Sequence, residues 1–237
     1  TPEQNASYAA TATEYGIPVG IQDYITSVTS PARAAVVPPL LVSVTAIEAG
    51  LVPVPPSHPK ITRLLAGHLD PQRGRSAAPK AIEVHSQARV TVNRDWTVAG
   101  AWLLETPSYG QVAGDLAEAG QRLLTPDEWE HACGAGAATL FRWGDDCPPD
   151  TVPDGSTTGP HREPNRFGLD IAQDPYRTER TADPSVVCGG DGGGIICGGA
   201  GAFVSWLTIA TAYRDPPASA PVLENNTRMY LRPAIPL

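Results

Sequence analysis

Apolar and polar positions alternate clearly in only a few places along this chain, and those places predict its elements. In KAIEVHSQARVTVNRDW (80–96), Ile82 and Val84, then Val90 and Val92, fall on every second position, the pattern of a strand with one buried face. AAVVPPLLVSVTAIEAGLVPVPP (34–56) is strand material punctuated by prolines. That suits edge strands, because proline cannot donate to a ladder. The period changes in SYGQVAGDLAEAG (108–120), where Val112, Leu116 and Ala119 lie at helical spacing and Gly120 stands as a stop. A second helix starts in LLTPDEWEHAC (123–133). Thr125 is its N-cap, Pro126 takes the first helical position, and Asp127 lies in the electropositive first turn. Glu128 completes a capping box, while Leu124 and Trp129 hold the hydrophobic-staple positions.

The rest of the chain is less periodic. Residues 1–35 are Ala/Thr/Ser-rich and read as a peripheral N-terminal segment, which leaves 36–237 as a single domain. HPKITRLLAGHLDPQRGRSAAPK (58–80) is polar and predicts a long loop with at most one short helix. Beyond residue 134 turn signals dominate, with short strands expected near 185–188, 195–197, 202–213 and 228–233. The 25 prolines and 23 glycines, with aromatics at only 6%, favour short strands, turns and irregular loops over long helices. An α+β fold rich in loops follows.

Charge and cysteine usage remove several function classes. A net charge of -8, a pI near 5.0 and no Lys/Arg cluster give no footprint for nucleic acid. TPEQNASYAATATEYG at the N-terminus has neither a basic n-region nor an apolar h-region, and no stretch is apolar enough to span a bilayer. The expectation is a soluble, cytoplasmic protein without a membrane partner. The four cysteines do not make a disulfide-dense scaffold. The five histidines, His58, His68, His85, His131 and His161, lack the H-x3-H or H-E-x-x-H spacing of zinc sites. No G-x-S-x-G elbow is present.

The order of motifs resembles a known family. RLLTPDEWEHACGAG (122–136) is similar to the R-L-P-T-E-x-E-W-E-x-A helix of the formylglycine-generating enzyme, or sulfatase-modifying-factor, superfamily. FRWGDD (141–146) resembles Y-x-W-G-D, NRFGLDI (165–171) resembles N-x-F-G-L-x-D, and TERT (178–181) stands at the place of E-W-T. CGG (188–190) matches R-G-G, ATAYR (210–214) resembles A-A-R, and RMYLRPA (228–234) resembles the closing G-F-R. The motifs cover residues 110–237, and the N-terminal third matches poorly. The resemblance implies a C-type-lectin-like fold of small twisted antiparallel sheets, two main helices and much irregular chain. Activities differ among proteins of this fold, so the site must decide function.

Oxidases of the superfamily bind copper through C-x4-C between R-G-G-S and A-A-R, and here that interval reads FVSWLTIA. The resemblance without its copper cysteines implies a non-catalytic binding protein. Its groove near 191–215 would take a protein segment or small ligand through Asp191, Trp206, Tyr213 and Arg214, although Arg214 also fits a structural ion pair. The alternative is a copper- or other soft-metal-dependent oxidoreductase using Cys188 and Cys197 in biosynthetic tailoring. These two cysteines can equally be buried thiols or a disulfide, and a Cys133–Cys147 disulfide is a further option. The resemblance also implies a structural calcium, with Asp174 and Glu179 of QDPYRTER as ligands, against a solvated turn with an Arg177–Glu179 pair. EPN (163–165) has the form of a sugar-binding motif, but Asn165 is better explained as the start of N-x-F-G-L. The run CGGDGGGIICGG (188–199) is read as backbone geometry, with glycines where side chains would clash.

Overall fold

The structure is a computed structural model that describes residues 1–66, 81–84, 87–153, 158–214 and 229–237. The 67–80 part of the polar stretch, with His68, and also His85 lie outside the described residues. Two compact units are present: the larger holds Thr1–Ile47 and most of the chain from Tyr109 onward, and the smaller is centred on Glu48–Ser108.

The larger unit begins with two helices, α1 (Pro2–Tyr15) and α2 (Ile21–Ser27). Thr1 and Gln4 form a capping box at the start of α1, and Gly16 ends it in the left-handed conformation. The segment expected to be peripheral therefore folds, and Tyr8 and Val28 are buried in the main core. The proline-punctuated stretch then gives three short strands, β1 (Leu40–Val42), β2 (Ile47–Glu48) and β3 (Leu51–Val54).

In the smaller unit β3, α3 (Pro59–Leu65), β4 (Ala81–Val84), β5 (Ala88–Val92) and β6 (Val98–Leu104) form an antiparallel sheet in the order β3-β6-β5-β4 with one helix. Pro53 sits on the edge strand β3, as its missing N–H requires. The single strand predicted over 80–96 is instead a hairpin in which Ile82 pairs with Val90. Ile61 and Leu65 of α3 pack with Val84, Ala88, Val90 and Ala101.

The chain returns to the larger unit through α4 (Tyr109–Glu118), β7 (Arg122–Leu123) and α5 (Pro126–Gly134). There follow β8 (Thr178–Arg180), β9 (Val187–Cys188), α6 (Gly194–Cys197), α7 (Ala202–Leu207), β10 (Met229–Leu231) and β11 (Pro233–Pro236). Two small sheets result, β1-β11-β7 and β2-β10-β8-β9. The class is mixed α/β with several small sheets, and one of their pairings, β8 with β10, is parallel.

The strands predicted at 195–197 and 202–213 are helix and turn. AFVSWL is apolar at nearly every position, and Phe203 to Ala210 are all buried. Periodicity cannot separate a helix buried all round from a buried strand. No described helix is long and apolar enough to cross a membrane.

Candidate functional site

The start of α5 shows how sequence positions the scaffold. Thr125 Oγ1 accepts the Glu128 N–H at 3.2 Å, and Glu128 Oε2 accepts the Thr125 N–H at 2.8 Å. Arg122 grips the same carboxylate with two bonds of 2.6 and 2.7 Å, which holds the Glu128 acid below its ordinary range. One turn later Trp129 is fully buried, and its indole N–H donates to Glu179 Oε2 at 2.8 Å. Arg232, itself 1% exposed, closes on both oxygens of Glu179 at 2.8 and 2.7 Å. Its remaining N–H groups donate to the carbonyls of Ser43, Val44 and Asp170. Three residues far apart in sequence thus share one buried charge pair.

Asn165 holds the other end of α5. Its amide donates to the carbonyls of Ala132 and Cys133 at 2.6 and 3.0 Å, and its Oδ1 accepts the N–H groups of Phe167 and Leu169, both at 3.0 Å. Those four bonds are all an asparagine amide can make, so none remains for the sugar or ion of an EPN reading.

The glycine-rich run occupies a surface that α1 and the 174–177 turn flank. At Gly190 a Cβ would lie 2.3 Å from the Pro175 carbonyl oxygen, and at Gly193, with φ +85, one would lie 2.1 Å from the Tyr176 ring. Close approach of backbone and ring explains these two glycines. Asp191 fixes the run that follows: its Oδ1 accepts the Gly193 N–H at 2.8 Å and its Oδ2 the Ile195 N–H at 2.6 Å. Tyr15 donates its hydroxyl to the Gly198 carbonyl at 2.6 Å, and the Tyr176 hydroxyl lies 3.8 Å from Cys197 Sγ. Gly192, Gly194, Cys197, Gly198 and Gly199 are exposed, with Asp191, Ile195 and Ile196 half-buried between them.

The four residues assigned to a groove do not lie together on that surface. Asp191 is on it. Trp206, 2% exposed, is in the core, where its indole donates to the Thr151 carbonyl at 2.6 Å and its ring meets His161 edge-on. Tyr213 is equally buried. Arg214 pairs with Glu130 at 2.6 Å, the structural bridge that A-A-R suggested. Sequence reading missed Tyr15 and Tyr176, which lie in other segments and meet the run only through folding.

The cysteines separate in the same way. All four thiols are free, Cys188 buried in the core and Cys197 exposed. Burial pushes the Cys188 and Cys133 thiols up to about 12. Of the two carboxylates implied for calcium, Glu179 is engaged at both oxygens by Arg232. Asp174 caps the Tyr176 N–H at 3.0 Å and pairs with Arg177 at 3.3 Å. In place of the Arg177–Glu179 pair expected of a solvated turn, Arg177 pairs with Asp174. Arg177 and Asp174 also line a 150 Å³ cavity with Thr45, Asp170 and Glu179. Of the three carboxylates there, Glu179 is closed by Arg232 and Asp174 by Arg177. Among the described residues no group of three or more His, Cys, Asp or Glu side chains is placed to hold a metal ion.

No family model, curated protein or solved structure matches the chain.

Proposed function

We propose that this chain is a non-catalytic binding protein, with a C-type-lectin-like arrangement of the sulfatase-modifying-factor kind, that presents residues 191–199 to a protein segment or small ligand. The observation that carries the reading is a segment both exposed and held. Asp191 satisfies two backbone donors, Tyr15 ties down Gly198, and Tyr176 packs on Gly193. A surface ordered before binding loses less entropy when it binds, which is what recognition from an irregular loop requires. The family resemblance is supported by motif residues that bond to one another: Trp129, Glu179 and Arg232 in one network, Asn165 against the end of α5.

The test is selection of a displayed random-peptide library on the whole chain, followed by affinity measurement on Tyr176→Ala and Ile196→Asp. Selected peptides should lose at least about tenfold in affinity on both variants, a change of roughly 1.4 kcal/mol. Peptides that bind the variants as tightly as the parent would remove residues 191–199 as the recognition surface.

A further inference from the structure

A second surface lies along β1. In the pair β1–β11, Leu41 faces Ile235, and flanking bonds run from Ser43 N–H to the Pro233 carbonyl at 3.0 Å and from Leu237 N–H to the Pro39 carbonyl at 3.2 Å. Antiparallel strands direct the backbone groups of alternate residues to opposite sides. Residues 39, 41 and 43 therefore bond inward to β11, and the N–H and C=O of Leu40 and Val42 point to the opposite edge. β1 is the end strand of its sheet, so among the described residues no strand covers that edge. Two residues further on the edge is already in use, because Asp170 N–H donates to the Val44 carbonyl at 2.9 Å and Thr45 bridges Asp170 in parallel. The gap at Leu40 and Val42 is where that neighbouring segment turns away.

What fills the gap is a cavity of about 470 Å³. Leu40, Val42, Ala132, Phe167 and Leu169 give it apolar walls, and Phe167, against which His131 is tilted at 5.6 Å, is 53% exposed. A cavity of 290 Å³ adjoins it, shares Val37 and His131, and is polar: Arg33, Asp127, Glu130 and Thr211 line it. Among the described residues every hydrogen bond made to Asp127 ends on Oδ1, and every one made to Glu130 ends on Oε2. The buried Thr211 hydroxyl has no partner among the described residues. Arg33 and Arg214 balance the two carboxylates, and Asp127 Oδ2, Glu130 Oε1 and the Thr211 hydroxyl, none hydrogen-bonded among the described residues, leave this compartment rich in acceptors.

We propose that β1 accepts a short extended peptide of a partner protein as an added strand, with two alternate apolar side chains in the larger cavity and a lysine or arginine in the polar one. The backbone donors and acceptors at Leu40 and Val42 supply the pairing, the walls select apolar residues at every second position, and the unpaired carboxylate oxygens of Asp127 and Glu130 select a cationic donor. This site is separate from residues 191–199 and stands or falls independently of that reading.

The probe is Ac-Thr-Lys-Thr-Val-Thr-Val-Thr-amide, whose Lys and two Val share one face of a strand, titrated into the uniformly labelled chain by NMR. Binding should be saturable, and amide hydrogen exchange at Leu40 and Val42 should slow. Two analogues N-methylated at alternate positions should differ at least about tenfold in affinity, because only one set of peptide N–H groups meets β1. Val42→Pro, which removes an edge donor and leaves the β11 bonds intact, should weaken the parent peptide similarly, with Phe167→Ala as the companion variant for the wall. A glutamate in place of the lysine should also weaken binding. Equal affinity of the two methylated analogues would mean that side chains alone are captured, and would overturn the strand proposal. Absence of saturable binding at millimolar peptide, or unchanged exchange at Leu40 and Val42, would overturn it as well.

Discussion

At the scale of single residues, the Glu179–Arg232 pair carries the most structural consequence. Both side chains are almost wholly withdrawn from water, so each depends on the other to offset its desolvation. Arg232→Met should destabilise the chain by about 3–5 kcal/mol, since it strands a buried carboxylate. Adding Glu179→Met to it should recover part of that loss, leaving the orphaned carbonyls of Ser43, Val44 and Asp170 and the orphaned Trp129 indole N–H as the remainder. Urea unfolding of the single and double variants measures this, and a double variant destabilised by as much as the two singles added together, or more, would refute the coupling. The buried thiols make a second residue-scale prediction. Cys133 and Cys188 stay protonated to about 12 in the fold, while thiols of the unfolded chain ionise near 9.0. Above that pH the unfolded state binds fewer protons than the native one, so stability falls as pH rises from 9 toward 12. Each thiol contributes at most about 1.4 kcal/mol per pH unit in that window. A Cys133→Ala/Cys188→Ala double variant should be less stable at pH 7 yet show a shallower alkaline decline, read from urea midpoints between pH 8 and 11.

At the scale of elements, legibility tracked how local the determining interactions are. The start of α5 was readable because a cap, a proline, a box glutamate and a staple all lie within six residues of one another, and each acts on its own turn. Thr125→Ala should accordingly cost about 1 kcal/mol, through the Glu128 N–H left without its acceptor. An unchanged thermal midpoint would show that the box glutamate and Arg122 hold the turn without it. The hairpin β4–β5 was half readable: alternation identified its buried face, but the turn between two in-phase strands leaves no mark on that alternation. α7 was unreadable, because a helix buried on every side has no polar face to set the period, and Gly201 caps it without a side chain. The candidate surface divides along the same line. Asp191 and the glycines could be read locally, whereas Tyr15 and Tyr176 reach the run from about 180 and 20 residues away in sequence, a distance no local pattern encodes.

At the scale of the whole molecule, the question is what replaces a regular hydrogen-bonded ladder in a chain with so much irregular backbone. A bound calcium is one solution, since an ion can gather carbonyls that lack partners. Here a guanidinium does that work. Arg232 collects three carbonyls and both oxygens of Glu179, and Arg142, also buried, donates to the carbonyls of Ile171, Pro160 and His161. Two cations that organise these loops are therefore covalently part of the chain. Stability should not depend on divalent metal. Were calcium held by Asp174 and Glu179, a concentration about a hundred times Kd would stabilise the fold by roughly 2.7 kcal/mol. For a chain of this size that corresponds to about 5–10 °C in thermal midpoint. The expected result is a midpoint that moves by less than about 1 °C between excess calcium and chelator, in protein first shown to be metal-free. A rise of several degrees that disappears in Asp174→Asn would show that Arg177 yields its place to an ion, and that the loop at 174–179 is held from outside the chain after all.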